Sequence, residues 1–551
     1  MNKTNQQIDG GASIVNWLKA AGVAHVFSVS GGPINPIYRA CGELGLPLVH
    51  TRHEAAACFM AEAASRLTGR AGAVVVTLGP GSTNTVTPAL VSAMAGTPLI
   101  IIAAQAPVRA FERGAAMSWD ALPILSSLAK WSARVIEVDR IPEYLDIAWR
   151  KMWAGRPGPV FLEVPADILS AQVSEGARAT RDEVAPPRPV RPAPSATDAA
   201  ALLAELGASK RPLLLLGDET FWDRADGWRQ VIEKHHLPFA TLRLARGIVD
   251  ERHRLCIGPG YSPCNATLRR ALLEADCIFI IGHHFEFDLE YGDRIGAQAR
   301  VVQVASDTDL LHRNRRADLA VAASPGNVVS LLAEAAAAST EQGWVDELVS
   351  QWQEEWRAQL GDNDKDGALH PVAAIDAVIE AAPAETVYVS SHGNVDFWAD
   401  ARLRMRHPGH YLRAGQSGAL GAEVPYGAGA AFADPGAPVI VFVGDGGIGY
   451  HVTELDTAER YGKPFVIVVL DDEMWGAIAL PQQARFGATY EMDLPRRDWA
   501  KVAEALGCKG YVCREVDQIQ AAVKDALASG KPALVQVTVR SVISPYMDYI
   551  S

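Results

Sequence analysis

The sequence has little that would staple or anchor a chain. Its seven cysteines, at 41, 58, 256, 264, 277, 508 and 513, are odd in number and form no CxxC pair. That spacing excludes a disulfide framework and a finger-type zinc site, and fits reduced thiols in a core. No apolar run approaches the roughly 20 residues that a membrane-spanning helix needs. The opening stretch, MNKTNQQIDGGASIVNWLKAAG, holds neither an apolar signal core nor a cleavage site. Net positive charge is lacking as well. At a formal charge of −13 the chain is a poor partner for a nucleic-acid backbone or an anionic membrane surface. The expectation is a cytoplasmic protein that binds neither.

What is present is apolar material for more than one core: 551 residues, 49% of them hydrophobic. Short Val- and Ile-rich runs alternate with Ala-rich helical stretches: AGAVVVTLG, TPLIIIAAQ, RPLLLLGD, DCIFIIG, ARVVQVAS, ETVYVSS, PVIVFVGDG and PFVIVVLDD. Continuous runs of this kind suit strands covered on both faces, so the class is α/β with doubly wound parallel-sheet domains. Two stretches interrupt the pattern. The Pro-rich EVAPPRPVRPAPSATD (183–198) reads as a semi-rigid linker without helix or inner strand, and LGDNDKDGALHP (360–371) as a second linker. Three segments result, 1–182, 199–358 and 368–551. No repeat is detectable by residue identity, although both outer segments contain a strand–glycine turn–helix unit.

Chemistry concentrates in VIVFVGDGGIGYHVTELDTAERYGKPFVIVVLDD, residues 439–472. Gly444-Asp445-Gly446-Gly447-Ile448-Gly449 satisfies the G-x-G-x-x-G fingerprint of dinucleotide folds, and an acidic strand end follows. Electrostatics weigh against that reading, because Asp445 would set a carboxylate beside a pyrophosphate with no cation between them. An intervening Mg²⁺ turns the repulsion into coordination, since hard cations take carboxylate and phosphate oxygens. Neighbouring parallel strands end on one edge, so Asp445 and Asp471 or Asp472 can converge on a single ion.

GDG followed some twenty-five residues later by an acid or amide pair resembles the metal and diphosphate motif of thiamin diphosphate (ThDP) enzymes. The resemblance implies metal ligands from the Asp445 and Asp472 side chains and the Met474 carbonyl, with Gly444, Gly446, Gly447 and Trp475 also at the cofactor. Asp471-Asp472 stands where the family usually carries Asn-Asn. The N-terminal segment agrees: RHE at 52–54, a following strand and GPGSTN resemble the pyrimidine-binding domain. Taken alone, Glu54 reads as a helix-start glutamate answering the helix dipole. By resemblance Glu54 is the cofactor-activating carboxyl, and Gly79-Pro80-Gly81 forms the active-site wall. Within GQSGALGAEVPYG, Leu420 matches the apolar prop under the bent cofactor and Gly418 the carbonyl that meets its amine. His392, Gly393 and Asn394 match the segment that opens the diphosphate domain.

The likeness covers essentially the whole chain and points to the acetolactate synthase, benzaldehyde lyase and 2-hydroxyacyl-CoA or oxalyl-CoA lyase type. It implies ThDP- and Mg²⁺-dependent cleavage or formation of carbon–carbon bonds through a ThDP enamine. The substrate is a small carbonyl compound: an acyloin, a 2-oxo acid or a 2-hydroxyacyl-CoA. It also implies a homodimer or homotetramer with active sites at the interface between subunits. The central segment resembles a domain that in some members holds FAD or ADP, but no nucleotide signature is present, and His283-His284 reads as a strand-end turn in preference to a metal site. Trp475, Ala477, Ile478 and Leu480 suggest a largely apolar substrate pocket. Two departures bear on the reaction. Ser30 stands where benzaldehyde lyase has histidine, and Ala116 replaces a glutamine common to the lyases and synthases. Either His53, His392 or the substrate supplies the missing proton transfer, or the reaction is the less demanding one of a 2-oxo acid decarboxylase or acetolactate synthase-like transferase. A catalytically silent ThDP-fold subunit and a Rossmann oxidoreductase are the remaining alternatives.

Overall fold

The computed structural model describes residues 8–174, 186, 190–224, 226–359, 368–390 and 392–545. All eight quoted apolar runs are strands, and they fall into three six-stranded sheets. Every pairing between these strands is parallel. The first sheet contains Val26–Ser28 (β1), Leu48–His50 (β2), Gly72–Val76 (β3), Leu99–Gln105 (β4), Trp131–Arg134 (β5) and Val160–Pro165 (β6), in the order β2-β1-β3-β4-β6-β5. The second contains Pro212–Leu216 (β7), Phe239–Thr241 (β8), Cys256–Pro259 (β9), Cys277–Ile281 (β10), Arg300–Ala305 (β11) and Leu319–Ala322 (β12), ordered β12-β11-β10-β7-β8-β9. The third contains Val387–Val389 (β13), Tyr411–Leu412 (β14), Val439–Gly444 (β15), Val466–Asp471 (β16), Lys509–Cys513 (β17) and Ala533–Thr538 (β18), ordered β14-β13-β15-β16-β18-β17.

The outer sheets therefore share one strand order, a structural repeat with no counterpart in residue identity. In both, the chain reverses its direction of winding between the first and third strands, the switch point at which open α/β sheets bind ligands. The GDG turn follows the third strand of its sheet, whereas a dinucleotide fingerprint follows the first. The order typical of dinucleotide folds belongs instead to the middle sheet, which lacks the glycine fingerprint.

The chain packs as two compact units, one built from Met1–Pro189, Ala414–Gly436 and His451–Pro464, the other from Val190–Arg413, Ala437–Tyr450 and Phe465–Ser551. Most of the 183–198 linker lies outside the described residues, as do positions 360–367 of the second. The end of the first differs from expectation: Ser195 accepts a hydrogen bond from Asp198 N and caps a helix from Ala196 to Ala208. A serine ahead of an alanine run is a helix start, which the prolines upstream had masked. Among the described residues no helix is long and apolar enough to cross a membrane.

In the first unit the helix Glu54–Thr68 starts on a cap by His53 Nδ1 and stops at Gly69, at φ +69°. The face formed by Ala57, Met60, Ala61 and Leu67 is not its only buried side. Glu62 and Arg66 are 0% and 1% exposed. The helix Glu423–Ala433 lies against it, and a Cβ on Gly429 would come within 2.4 Å of the Met60 carbonyl. The buried charges are paired and hydrogen-bonded. Arg66 donates to Glu62 at 2.5 Å and to Thr97 Oγ1 at 3.0 Å, while Thr97 and Tyr426 donate to Glu62 at 3.1 and 2.9 Å. Removing one member strands the other in a dry site, which typically costs about 3–5 kcal/mol. Arg66→Ala should therefore lower the first thermal transition by many degrees; an unchanged melting curve would show that this pair contributes little.

Candidate active site

The candidate residues fall into two clusters, one in each unit. In the second unit, β15 and β16 are neighbours with Gly444 opposite Leu470. The register brings the turn after Gly444 beside the acids that end β16. Asp471 turns away and accepts from Gln536 Nε2 at 2.6 Å. Asp472 accepts from Ser541 Oγ at 2.7 Å. Asp445 is buried. Burial, reinforced by the Asp472 and Asp471 charges, pushes its carboxyl up to about 8. Burial also raises Asp472 to about 6, with Asp471 adding to the shift and Ser541 opposing it.

The surroundings hold these acids in place. Gly476 opens the helix Gly476–Phe486, and a Cβ there would sit 3.0 Å from Asp472 Oδ2 and 3.5 Å from Asn394 Cβ. Glu473 adopts φ +58°, a left-handed conformation uncommon for this residue type, which bends the loop between Asp472 and Met474. That loop is pinned from outside, where Trp475 N donates to Met492 O and Leu494 N to Glu473 O. The Met474 N–H turns toward Asp472. Gly446 makes room for the Trp475 ring, which a Cβ would meet at 2.5 Å, whereas Gly444 faces open space. Asn394 donates to Val542 O at 2.6 Å and accepts from Ser544 N at 2.7 Å. Its amide thus secures the C-terminal segment that carries Ser541. His392 and Gly393 are half-buried ahead of the helix that begins at Asn394, and Ile478 is exposed.

In the first unit, Ser30 follows β1, Glu54 follows β2 and Gly79-Pro80-Gly81 follows β3, so all three lie along one sheet edge around the switch point. Thr77, just beyond β3, is the meeting point. A Cβ on Gly31 would approach its side chain to 2.5 Å, and one on Gly81 to 2.8 Å. The Thr77 hydroxyl oxygen is buried and has no hydrogen-bond partner among the described residues. Glu54 is 9% exposed; its Oε2 accepts from Asn84 Nδ2 at 2.9 Å, while Oε1 lies toward Gly81. Gly79 has φ +62° and would place a Cβ 2.5 Å from the Met117 carbonyl, which locates the exposed Ala116 loop on the same rim. Gly418, exposed at φ +69°, and half-buried Leu420 belong to this unit too.

Sequence reasoning missed His50. Its Nε2 lies 3.1 Å from Ser30 Oγ and 3.2 Å from Ser30 N. Burial, with Arg460 and Arg52 nearby, holds this imidazole below its usual value, so it is neutral at pH 7. Only the pairing of β1 with β2 brings positions 30 and 50 together. Gln536, Ser541 and Gly476 were missed for the same reason, since none carries a local signal.

The donor set in the second unit is all oxygen, buried, crowded with like charge and next to an open glycine. Those features fit a hard divalent ion carrying phosphate oxygens. In the first unit Glu54 and the Thr77 methyl both border Gly81, which leaves a buried carboxyl oxygen at a glycine-lined edge.

Three family models match the chain, described as thiamine pyrophosphate enzyme N-terminal TPP binding domain (residues 8–124), central domain (199–332) and C-terminal TPP binding domain (391–537). The chain belongs to the thiamine pyrophosphate (thiamin diphosphate) enzyme family, and within it to the enzymes that break or join carbon–carbon bonds. Mouse 2-hydroxyacyl-CoA lyase 2 is 30% identical over 549 residues, covering 91% of this chain and 85% of that protein. The acetolactate synthase large subunit of Mycobacterium tuberculosis is 29% identical over 538 residues, 97% of this chain and 96% of its own.

The raised carboxyls fix the sign of a pH effect. Their folded values lie above the ordinary aspartate value, so metal-free protein loses stability as pH rises from near 3.8 through about 8. A cation must displace those protons. Magnesium uptake at pH 7 should release close to one proton, mainly from Asp445, and tighten as pH rises to 8. Titration calorimetry in two buffers of different ionisation enthalpy measures this; identical heats in both would contradict it.

Proposed function

We propose that the protein is a Mg²⁺-dependent lyase or carboligase acting on an acyloin, a 2-oxo acid or a 2-hydroxyacyl-CoA. The observation that carries this reading is the pair of buried Asp445 and half-buried Asp472 at the switch-point edge, which suits a cation and a diphosphate. Asp445, Asp472 and the Met474 carbonyl would hold Mg²⁺. When bound, thiamin diphosphate supplies a nucleophilic carbon and an electron sink for the bond next to a carbonyl. Glu54, fixed through Oε2 by Asn84, keeps Oε1 for holding or moving a proton at the cofactor's pyrimidine. His50, acting through the Ser30 hydroxyl, takes over the proton transfer for which His53 and His392 were considered from sequence.

The substrate side is apolar. Met117 and Trp119 are more than half exposed on the Ala116 loop, and Ile478 is similarly exposed in the second unit. Such surfaces suit a substrate with an apolar substituent and exclude water from the reacting bond. An acetolactate synthase-like transferase or simple 2-oxo acid decarboxylase is the second reading, favoured by the absence of a base at Ala116. A homodimer or homotetramer in the cytoplasm, with the Glu54 half of one copy serving the acid half of another, is the form in which we expect activity.

The test supplies Mg²⁺, ThDP and, in separate reactions, a 2-hydroxyacyl-CoA, an aromatic acyloin and pyruvate, and follows aldehyde and CO₂. Aldehyde release without CO₂ establishes a lyase; CO₂ from pyruvate alone establishes the second reading, and no product from any would favour a silent subunit. Glu54→Gln should cut turnover by about two to four orders of magnitude with ThDP affinity retained, and His50→Ala by a similar factor in the cleavage direction. Full activity in His50→Ala would remove that residue from the scheme.

A further inference from the structure

The middle sheet carries a side-chain cluster that the ThDP reaction does not use. β7 and β10 are its central neighbours, paired so that Leu216 stands opposite Ile281. From β7 the chain winds to β8 and β9 on one side, and from β10 to β11 and β12 on the other. The turns after Leu216 and Ile281 thus flank the switch point of this sheet. They read GDET and GHHFEFD. Gly217 is obligatory there, because a Cβ would fall 2.2 Å from the Cβ of His283.

A nucleotide phosphate in this crevice would need bare backbone N–H groups. It would meet buried Asp218 and Glu219 instead. Across the crevice, His283 Nε2 stands 3.1 Å from Glu286 Oε1 and His284 Nε2 stands 3.4 Å from Glu286 Oε2. The three residues offer ligand atoms that all lie within 4.8 Å of one another, and both histidines are buried. Ligands around a tetrahedral ion with bonds of about 2.0–2.1 Å are spaced by roughly 3.4 Å, which the two His–Glu distances approach, each at a different oxygen of Glu286. Arg243 contacts Glu286, donates to Asp288 Oδ2 at 2.9 Å and lies 3.6 Å from Asp218 Oδ2. Arg243 thus stands among the carboxyl groups of Asp218, Glu286 and Asp288, and the Arg413 charge also reaches Asp288.

We propose that His283, His284 and Glu286 form a site for a divalent transition-metal ion in the central domain. Two imidazole nitrogens and one carboxylate select a borderline ion such as Zn²⁺, Co²⁺ or Fe²⁺ over Mg²⁺. The site is therefore chemically distinct from the all-oxygen acid pair of the third sheet, and it stands independently of the proposed reaction. The ion would tie the 282–288 turn to its own strand end and close the crevice against phosphate.

Full-length protein saturated with Mg²⁺ and ThDP is titrated with Co²⁺ and followed by visible absorption and metal analysis. We expect one Co²⁺ per chain with a ligand-field band. Affinity should fall by at least about tenfold in His284→Ala and in the gentler Glu286→Gln, and should be unaffected in Asp445→Asn. Circular dichroism confirms folding of each variant. No stoichiometric uptake by the wild type, or uptake insensitive to both His284→Ala and Glu286→Gln, overturns the proposal and leaves an ordinary His–Glu hydrogen-bonded cluster. Loss in Asp445→Asn alone overturns it too, by placing the ion at the acid pair.

Discussion

Acidic side chains gathered at the ends of two adjacent parallel strands crowd one another out of water, and the residues around them hold them there. Parallel pairing compels β15 and β16 to finish on the same edge, so Asp445, Asp471 and Asp472 cannot avoid one another. The fold answers in two ways. Asp471 is drawn off by Gln536, and Asp472 is oriented by Ser541 while Gly476 leaves it space. What remains facing outward is a pair whose charge a hard cation can satisfy. The strained turn at Glu473 and the engagement of Asn394 with the C-terminal segment follow from keeping that pair in place.

The two outer sheets use one topology for opposite tasks. Each opens a crevice between its first and third strands. The third sheet lines that edge with acids and an open glycine, the first with a single buried glutamate, close-packed glycines and an unpartnered threonine hydroxyl. The one edge is acidic and open, the other close-packed around a single carboxyl. The middle sheet, with a third arrangement of side chains at its own switch point, shows how far the chemistry of such an edge depends on the turns and how little on the fold.

Buried ion networks recur away from the site. Arg246 in the second unit is fully enclosed, donating to Glu251, to Asp400 and to the Leu403 carbonyl. The Glu62–Arg66–Thr97–Tyr426 set plays the corresponding part in the first unit. Networks of this kind add less stability than apolar packing would, but they tolerate only one registry between the elements they join. For a site assembled from residues hundreds of positions apart, registry is the scarcer quantity.

The fold class was readable in the residues because a strand covered on both faces must be apolar at every position, and all eight such runs proved to be strands. The thiamin diphosphate family was readable for a local reason also: glycine, aspartate and a strand-end acid pair leave a signature at fixed spacing. The two-residue edge strand Tyr411–Leu412 was not, since its neighbours and not its composition make it a strand. Neither was the common strand order of the outer sheets, because topology survives when residue identity does not. Position 30 shows the limit most clearly. From sequence Ser30 was a missing base; the pairing of β1 with β2 sets His50 against its hydroxyl. His283-His284 is the strand-end turn that its residues suggest, and neighbouring Glu286 is set against both imidazoles. Local chemistry writes itself into neighbouring residues, whereas a contact across strands depends on register, which the hydrogen bonds of the folded sheet alone decide.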